Sequence, residues 1–129
     1  MPRTRHFRDL HVWQKAMELA RQVYMQTEEF PKTEIFGLRM QMRRSAVSVA
    51  SHIAEGHGKL TDAELRRSLG SARGSLYEFE TQNELACSLG FIDRDSSRQL
   101  LELATETAKL INGLLGKLDL DRVTTEPAN

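Results

Sequence analysis

Apolar residues recur along this chain at intervals of three and four, the period of a helix that buries one side. Leu10, Trp13, Ala16, Met17, Ala20 and Tyr24 set the first such run and predict a helix from about Asp9 to Glu28. Phe30-Pro31 ends it, because the residue before a proline is steered away from the helical conformation. A second helix is predicted from about Glu34 to Glu55, with Thr33 as its cap and Glu34 suited to the positive helix end. Gly56-His57-Gly58 closes it, glycine being the common residue just past a helix. Thr61-x-x-Glu64 reads as a capping box for a third helix. Its apolar stripe is Leu65, Ser68, Leu69, Ala72, Leu76, Phe79, Asn83 and Ala86, and Gly90 ends it. Asp93 or Asp95 opens a fourth helix, with Leu100, Leu103, Thr107, Leu110, Leu114 and Leu118 on its apolar side. Four amphipathic helices joined by short links predict an all-α, up-down-up-down four-helix bundle over residues 9–120. A basic arm at 1–8 precedes it, and a disordered tail at 121–129 follows.

The second helix is unusual among the four. Gln41 to Gly56, QMRRSAVSVASHIAEG, has few bulky side chains. At about 100° per residue, Leu38, Met42, Ala46, Val49 and Ile53 fall on one face. Val47, Ala50 and Ala54 make a second flank of small residues. Small side chains let a neighbouring helix come close, so this helix is read as central or interfacial, and the protein as a homo-oligomer. Gln41, Arg44, Ser48, Ser51, His52 and Glu55 gather on the remaining side. Among them Arg44, Ser48, His52 and Glu55 are spaced four, four and three, which aligns their side chains. With Ser75 and Glu78 of the third helix they predict a structural polar network, since a buried carboxylate demands partners.

Composition narrows the classes. The 129 residues suffice for one domain with one core. Leu, Ala, Glu and Arg are abundant and β-branched residues few, which favours helix over sheet. The single cysteine, Cys87, leaves no intramolecular disulfide and suits a reduced, cytoplasmic setting. No run approaches the roughly 18 to 20 apolar residues of a membrane span, and no signal peptide opens the chain. A soluble protein with no membrane partner is expected.

Net charge is zero but unevenly spread. Residues 1–75 carry 13 Lys and Arg against 8 Asp and Glu, and residues 76–129 carry 5 against 10, giving +5 and −5. The basic half offers candidate contacts to a nucleic-acid backbone: Arg3, Arg5 and Arg8 on the arm, Arg39 and Arg43 one turn apart, and Arg66, Arg67 and Arg73 on the third helix. Repetition in an oligomer would strengthen such a surface, because phosphate affinity grows with contact number. RNA, DNA or a nucleic-acid enzyme is the leading partner expectation. A protein–protein adaptor without nucleic-acid contact is the alternative, because the same asymmetry suits complementary subunits.

Catalytic chemistry has little to build on. His52-x-x-Glu55 reverses the Glu-x-x-His of di-iron bundles, and the zinc motif His-Glu-x-x-His is absent. Neither Arg43 nor Arg44 has a histidine four to six residues on, as the arginine–histidine ribonucleases built on helical bundles do. No enzyme activity, metal or cofactor is expected.

Five segments occur in an order that resembles a known family. They are Phe7-x-Asp9-Leu10-x-Val12-Trp13-Gln14-Lys15-Ala16, Phe30-Pro31-x-x-Glu34-x-x-Gly37-Leu38, the stretch Gln41 to Gly56, Gly74-Ser75-Leu76-Tyr77-Glu78, and Leu89-Gly90-Phe91-Ile92. The chain is similar along nearly its whole length to the four-helix-bundle proteins of the 23S rRNA intervening-sequence family, relatives of the accessory variability proteins of diversity-generating retroelements. The resemblance implies a homopentameric barrel. Through the retroelement relatives, it also implies binding of nucleic acid and a reverse transcriptase. Two departures stand out: His52 replaces the usual asparagine before Ile-Ala-Glu-Gly, and the neutral charge differs from the strongly basic retroelement relatives.

Overall fold

A computed structural model describes the backbone of residues 6–125 and the side chains of residues 6–120. Four helices carry the fold: α1 (His11–Gln26), α2 (Leu38–His57), α3 (Asp62–Ser88) and α4 (Arg94–Thr125). Short 3-10 turns at Phe7–Asp9 and Lys32–Glu34 precede α1 and α2, and no strand occurs among the described residues. Each helix packs against two others: α1 on α2 and α4, and α3 on α2 and α4. The diagonal pairs have no Cα–Cα approach within 8 Å among the described residues. One core therefore lies inside a closed ring of four helices.

The helix ends refine the expected boundaries. Asp9 belongs to the 3-10 turn, because Leu10 is extended (φ −74°, ψ 123°) and restarts the chain as α1. At the other end of α1, Thr27 Oγ1 donates to Val23 O at 2.7 Å. Glu34, rather than Thr33, caps α2: its Oε1 accepts from Leu38 N at 3.0 Å, and the helix begins four residues later than expected. Thr61 Oγ1 accepts from Glu64 N at 3.2 Å, the forward half of the anticipated box. Gly90, at φ +78°, lets Phe91 N reach Ala86 O (2.9 Å) while Gly90 N reaches Cys87 O (3.1 Å). That pair of bonds satisfies the last carbonyls of α3. Asp93 caps α4, accepting from Ser96 N (2.8 Å) and Ser96 Oγ (3.0 Å), and these bonds hold its carboxyl below the ordinary range. Helical backbone continues through Thr125, past the boundary expected at residue 120, and residues 126–129 lie outside the described residues.

Core composition explains how tightly the ring closes. Phe79, Leu19, Met42, Ile53 and Leu76 are fully buried, each stabilising by about 1.5–3 kcal/mol. Ala16, Ala46, Ala72 and Ala104, one on each helix, have no exposed surface. Gly56 marks a close approach of α2 to α3, since a Cβ there would lie 2.9 Å from Ser68 Cβ. The α2 face from Leu38 to Ile53 and the α3 stripe are buried as expected, apart from the half-buried Leu65. Two stripes are turned. On α1 the core is Val12, Ala16, Leu19, Ala20 and Val23, leaving Trp13 and Met17 half-buried and Tyr24 exposed. On α4 it is Leu100, Ala104, Thr107, Ile111 and Leu115, so Leu114 faces outward. In both helices a face flanked by two neighbours buries a strip about one position away from the heaviest residues.

Candidate functional site

The polar residues of α2 fall into two separate pieces, one of which binds it to α3. Ser48 Oγ and Ser75 Oγ are 3.0 Å apart, the contact expected of the polar stripe. Beside it Ser45 Oγ donates to Gln82 Oε1 at 2.7 Å, and Gln82 Nε2 donates to Glu78 Oε1 at 3.3 Å. His52 Nδ1 stands 3.5 Å from Glu55 Oε2, and Lys59 Nζ 3.5 Å from Glu55 Oε1, so these residues form a local group at the end of α2. Arg44 joins neither piece; it is exposed and points into a concavity shared with Arg39 and Arg43. The single network through Arg44, Ser48, His52 and Glu55 is thereby corrected: alignment on a helix does not bring groups together when only part of the stripe faces a neighbour. Ser45 and Gln82, both buried, were missed. Their signal was a polar residue one position off each core stripe.

The candidate phosphate-binding arginines make mostly intramolecular contacts. Arg43 Nε donates to Thr27 Oγ1 (2.9 Å), its Nη2 reaches Tyr24 O (3.0 Å) and Glu28 Oε2 (3.1 Å), and its guanidinium lies 4.4 Å from the Tyr24 ring centroid. This side chain is only 17% exposed and fastens α2 to the end of α1. Arg39 pairs with the same Glu28 at 3.3 Å. Arg66 Nε meets Asp119 Oδ1 at 2.6 Å, and Arg73 Nη1 donates to Asn112 Oδ1 at 2.9 Å, both linking α3 to α4. Exposed pairs of this kind exchange easily with water or another anion. Arg8 is exposed with its guanidinium 5.7 Å from the Phe7 ring centroid, while Arg3 and Arg5 lie outside the described residues. Lys15 Nζ, bonded to Glu106 Oε2 at 3.0 Å, ties α1 to α4, and that bond raises its pKa.

Grooves between neighbouring helices mark the surface of the described residues. The first, of about 710 Å³, runs between α1 and α2. Trp13, Met17, Tyr24, Met25, Val47 and Ala54 line it, so the residues turned away from the α1 core reappear here beside the small-residue flank of α2. Met25 is 67% exposed and Val47 and Tyr24 are exposed as well. Ala50, expected on that flank, is already buried within the protomer. Next to this groove, Phe36 (84% exposed), Tyr24, Arg39, Arg43 and Arg44 surround a concavity of about 350 Å³.

The second groove, about 850 Å³, lies between α3 and α4 and is far more polar. Glu80 and Glu84 project into it one turn apart, with Tyr77 beside them. Burial pushes the Glu80 carboxyl above its ordinary pKa. Asn83 lines the groove from within the protein. Its Nδ2 donates to Ser97 O at 2.9 Å, while its buried Oδ1 accepts no hydrogen bond among the described residues. An unsatisfied buried acceptor costs about 1–3 kcal/mol.

Four helices around one core, with open grooves between neighbouring helices, define a small helical-bundle protein. The chain belongs to the family described as 23S rRNA-intervening sequence protein, whose model matches residues 8–113. It is similar in fold to the crystal structure of a protein of unknown function from the S23 ribosomal protein family of Bacteroides thetaiotaomicron. That likeness has a TM-score of 0.73 and 23% identity over 81% of this chain and 97% of the other. Comparison with curated proteins gives no match. Among the described residues, no helix is long and apolar enough to cross a membrane.

Proposed function

We propose that this protein is a non-enzymatic, self-associating helical scaffold whose protomers meet through the α1–α2 groove. The carrying observation is that groove, where Trp13, Met17, Tyr24, Met25 and Val47 present a continuous apolar surface to solvent. A surface of this kind is stabilised when a partner covers it. Short links between successive helices and contacts confined to neighbours support an up-down-up-down protomer. The family resemblance implies five such protomers in a barrel, and the free Cys87 suits a reduced, cytoplasmic setting. Hydrogen-bonded serines and Gln82 at the α2–α3 contact support a structural role for the polar residues of α2. Light scattering of the purified chain tests the reading. A multimer that dissociates in Val47→Glu or Met25→Glu, with helical content retained, supports it; a protomer at every concentration rejects it.

A second reading rests on the neighbouring concavity. Phe36 and Tyr24 beside Arg39 and Arg44 combine a ring for stacking with cations for phosphate, the elements of single-stranded nucleic-acid binding. In this reading RNA or DNA lies along the rim of the assembly, held without sequence preference. Its test is a salt-titrated binding assay on short RNA and DNA. Affinity that falls with salt and is lost in Arg39→Ala/Arg44→Ala supports it; no binding at about 50 mM salt rejects it.

A further inference from the structure

We propose that the α3–α4 groove is a binding site for a small organic cation carrying primary ammonium groups, an extended alkyl di- or polyamine. Three kinds of group meet there, and all accept rather than donate to a cation. Glu80 and Glu84 place two carboxylates one turn apart on α3, and neither has a cationic nitrogen within 4.0 Å among the described residues. Like charges at this spacing repel, so the pair gains from a cation between them. Asn83, 3% exposed, lines the same groove with its Oδ1 unpartnered. The amide's orientation follows from its other bond, because only the Nδ2 side can donate to Ser97 O. Tyr77 contributes a ring to the wall, and a ring face attracts a cation.

The chemistry of these groups selects the ligand. An ammonium group is donor-only with three N–H bonds, matching carboxylates and an amide oxygen at once. A metal ion is a poorer match: among the described residues no three His, Cys, Asp or Glu side chains are placed to hold one. Arg94 also lines the groove, so a monocation near it is repelled, and the ammonium belongs on the Glu80–Glu84 side. The Asn83 Oδ1 is covered, so engaging it requires a side-chain shift at the groove floor, where Cys87 and Ser97 lie. Binding and a local rearrangement at Asn83 are thus coupled. The site is independent of the α1–α2 groove and of any self-association there.

Titration of the full chain with spermidine, followed by amide and Asn side-chain NMR at about 0.15 M salt, tests this. Expected are saturable shifts confined to residues 77–101, with the Asn83 side-chain NH₂ signal among them. 1,8-Octanediol, uncharged and of similar reach, leaves the spectrum unchanged. Glu80→Gln/Glu84→Gln weakens binding about tenfold or more, whereas Glu102→Gln/Glu106→Gln, elsewhere on α4, leaves it intact. Shifts scattered over all acidic surfaces, equal loss in both double variants, or no saturable shift overturns the proposal. Because Gln replaces Glu at surface-accessible positions, retained amide dispersion in the variants separates lost binding from lost fold.

Discussion

Arg43 shows how a surface-looking arginine becomes part of the framework. Its guanidinium spends its fork on Thr27 Oγ1, the Tyr24 carbonyl and Glu28, with the Tyr24 ring beside it. Arg43→Ala is expected to destabilise the chain by about 2 kcal/mol, the scale of hydrogen bonds to a charged group. Arg43→Lys recovers little of it, because a point charge cannot reproduce the fork. Urea unfolding measures both, and equal midpoints for wild type and Arg43→Ala would refute the tether. Glu80 carries the opposite sign. Burial raises its pKa in the folded state, so the folded chain holds that proton more tightly than the unfolded chain does. Its ionised form therefore disfavours folding at neutral pH, and the penalty fades as pH falls through the carboxylate range. Glu80→Gln is expected to raise the melting temperature at pH 7 and to lose that advantage near pH 4. Melting curves at the two pH values decide it. From sequence alone, Arg43 reads as a candidate phosphate contact, because Thr27 is not close to it along the chain.

Helices themselves were largely legible, and so were the ends of α3 and the start of α4, whereas the starts of α1 and α2 were misplaced. Thr61, Gly90 and Asp93 act through bonds that span a few residues, so local pattern suffices to find them. The α2 and α3 core stripes were equally plain. What the pattern misplaced was rotation: Trp13 and Tyr24 are heavier than Leu19 and Val23, yet the lighter residues face the core. Bulk along a helix does not tell an inward face from an outer apolar one when both exist. Ser45 and Gln82 escaped for the related reason that a buried pair from two helices has no local signature. Two glycines test the packing with opposite signs. Gly56→Ala brings a Cβ to 2.9 Å from Ser68 Cβ, so a net loss of about 1–3 kcal/mol is expected despite better helix propensity. Gly70 lies inside α3, and a methyl added there would meet nothing within 4 Å, so Gly70→Ala should gain about 0.5–1 kcal/mol. Thermal or urea unfolding giving the same sign at both sites would contradict a tight α2–α3 crossing at Gly56.

At the scale of the whole molecule, the division between filled core and open groove matters most. The small residues of α2 serve α1 and α3 inside the protomer first, as the burial of Ala46 and Ala50 shows. Val47, Ser51 and Ala54, together with the outward side of α1, remain for a partner. A self-associating scaffold should melt at a temperature that climbs with protein concentration, since assembly binds the folded state alone. Val47→Glu should flatten that dependence while leaving the helical signal before melting unchanged. A wild-type melting point indifferent to concentration would count against association through this groove.

The helices differ twofold in span. With 16 residues in α1 and 32 in α4, the shortest rod covers about 24 Å and the longest about 48 Å. Four staves of such unequal reach cannot be flush at both ends, so a stretch of α4 overhangs its shortest companion. Where α4 outruns α1, α3 is its remaining neighbour, and the Arg66–Asp119 pair fastens it there. Loosening of the bundle should therefore begin at that end of α4.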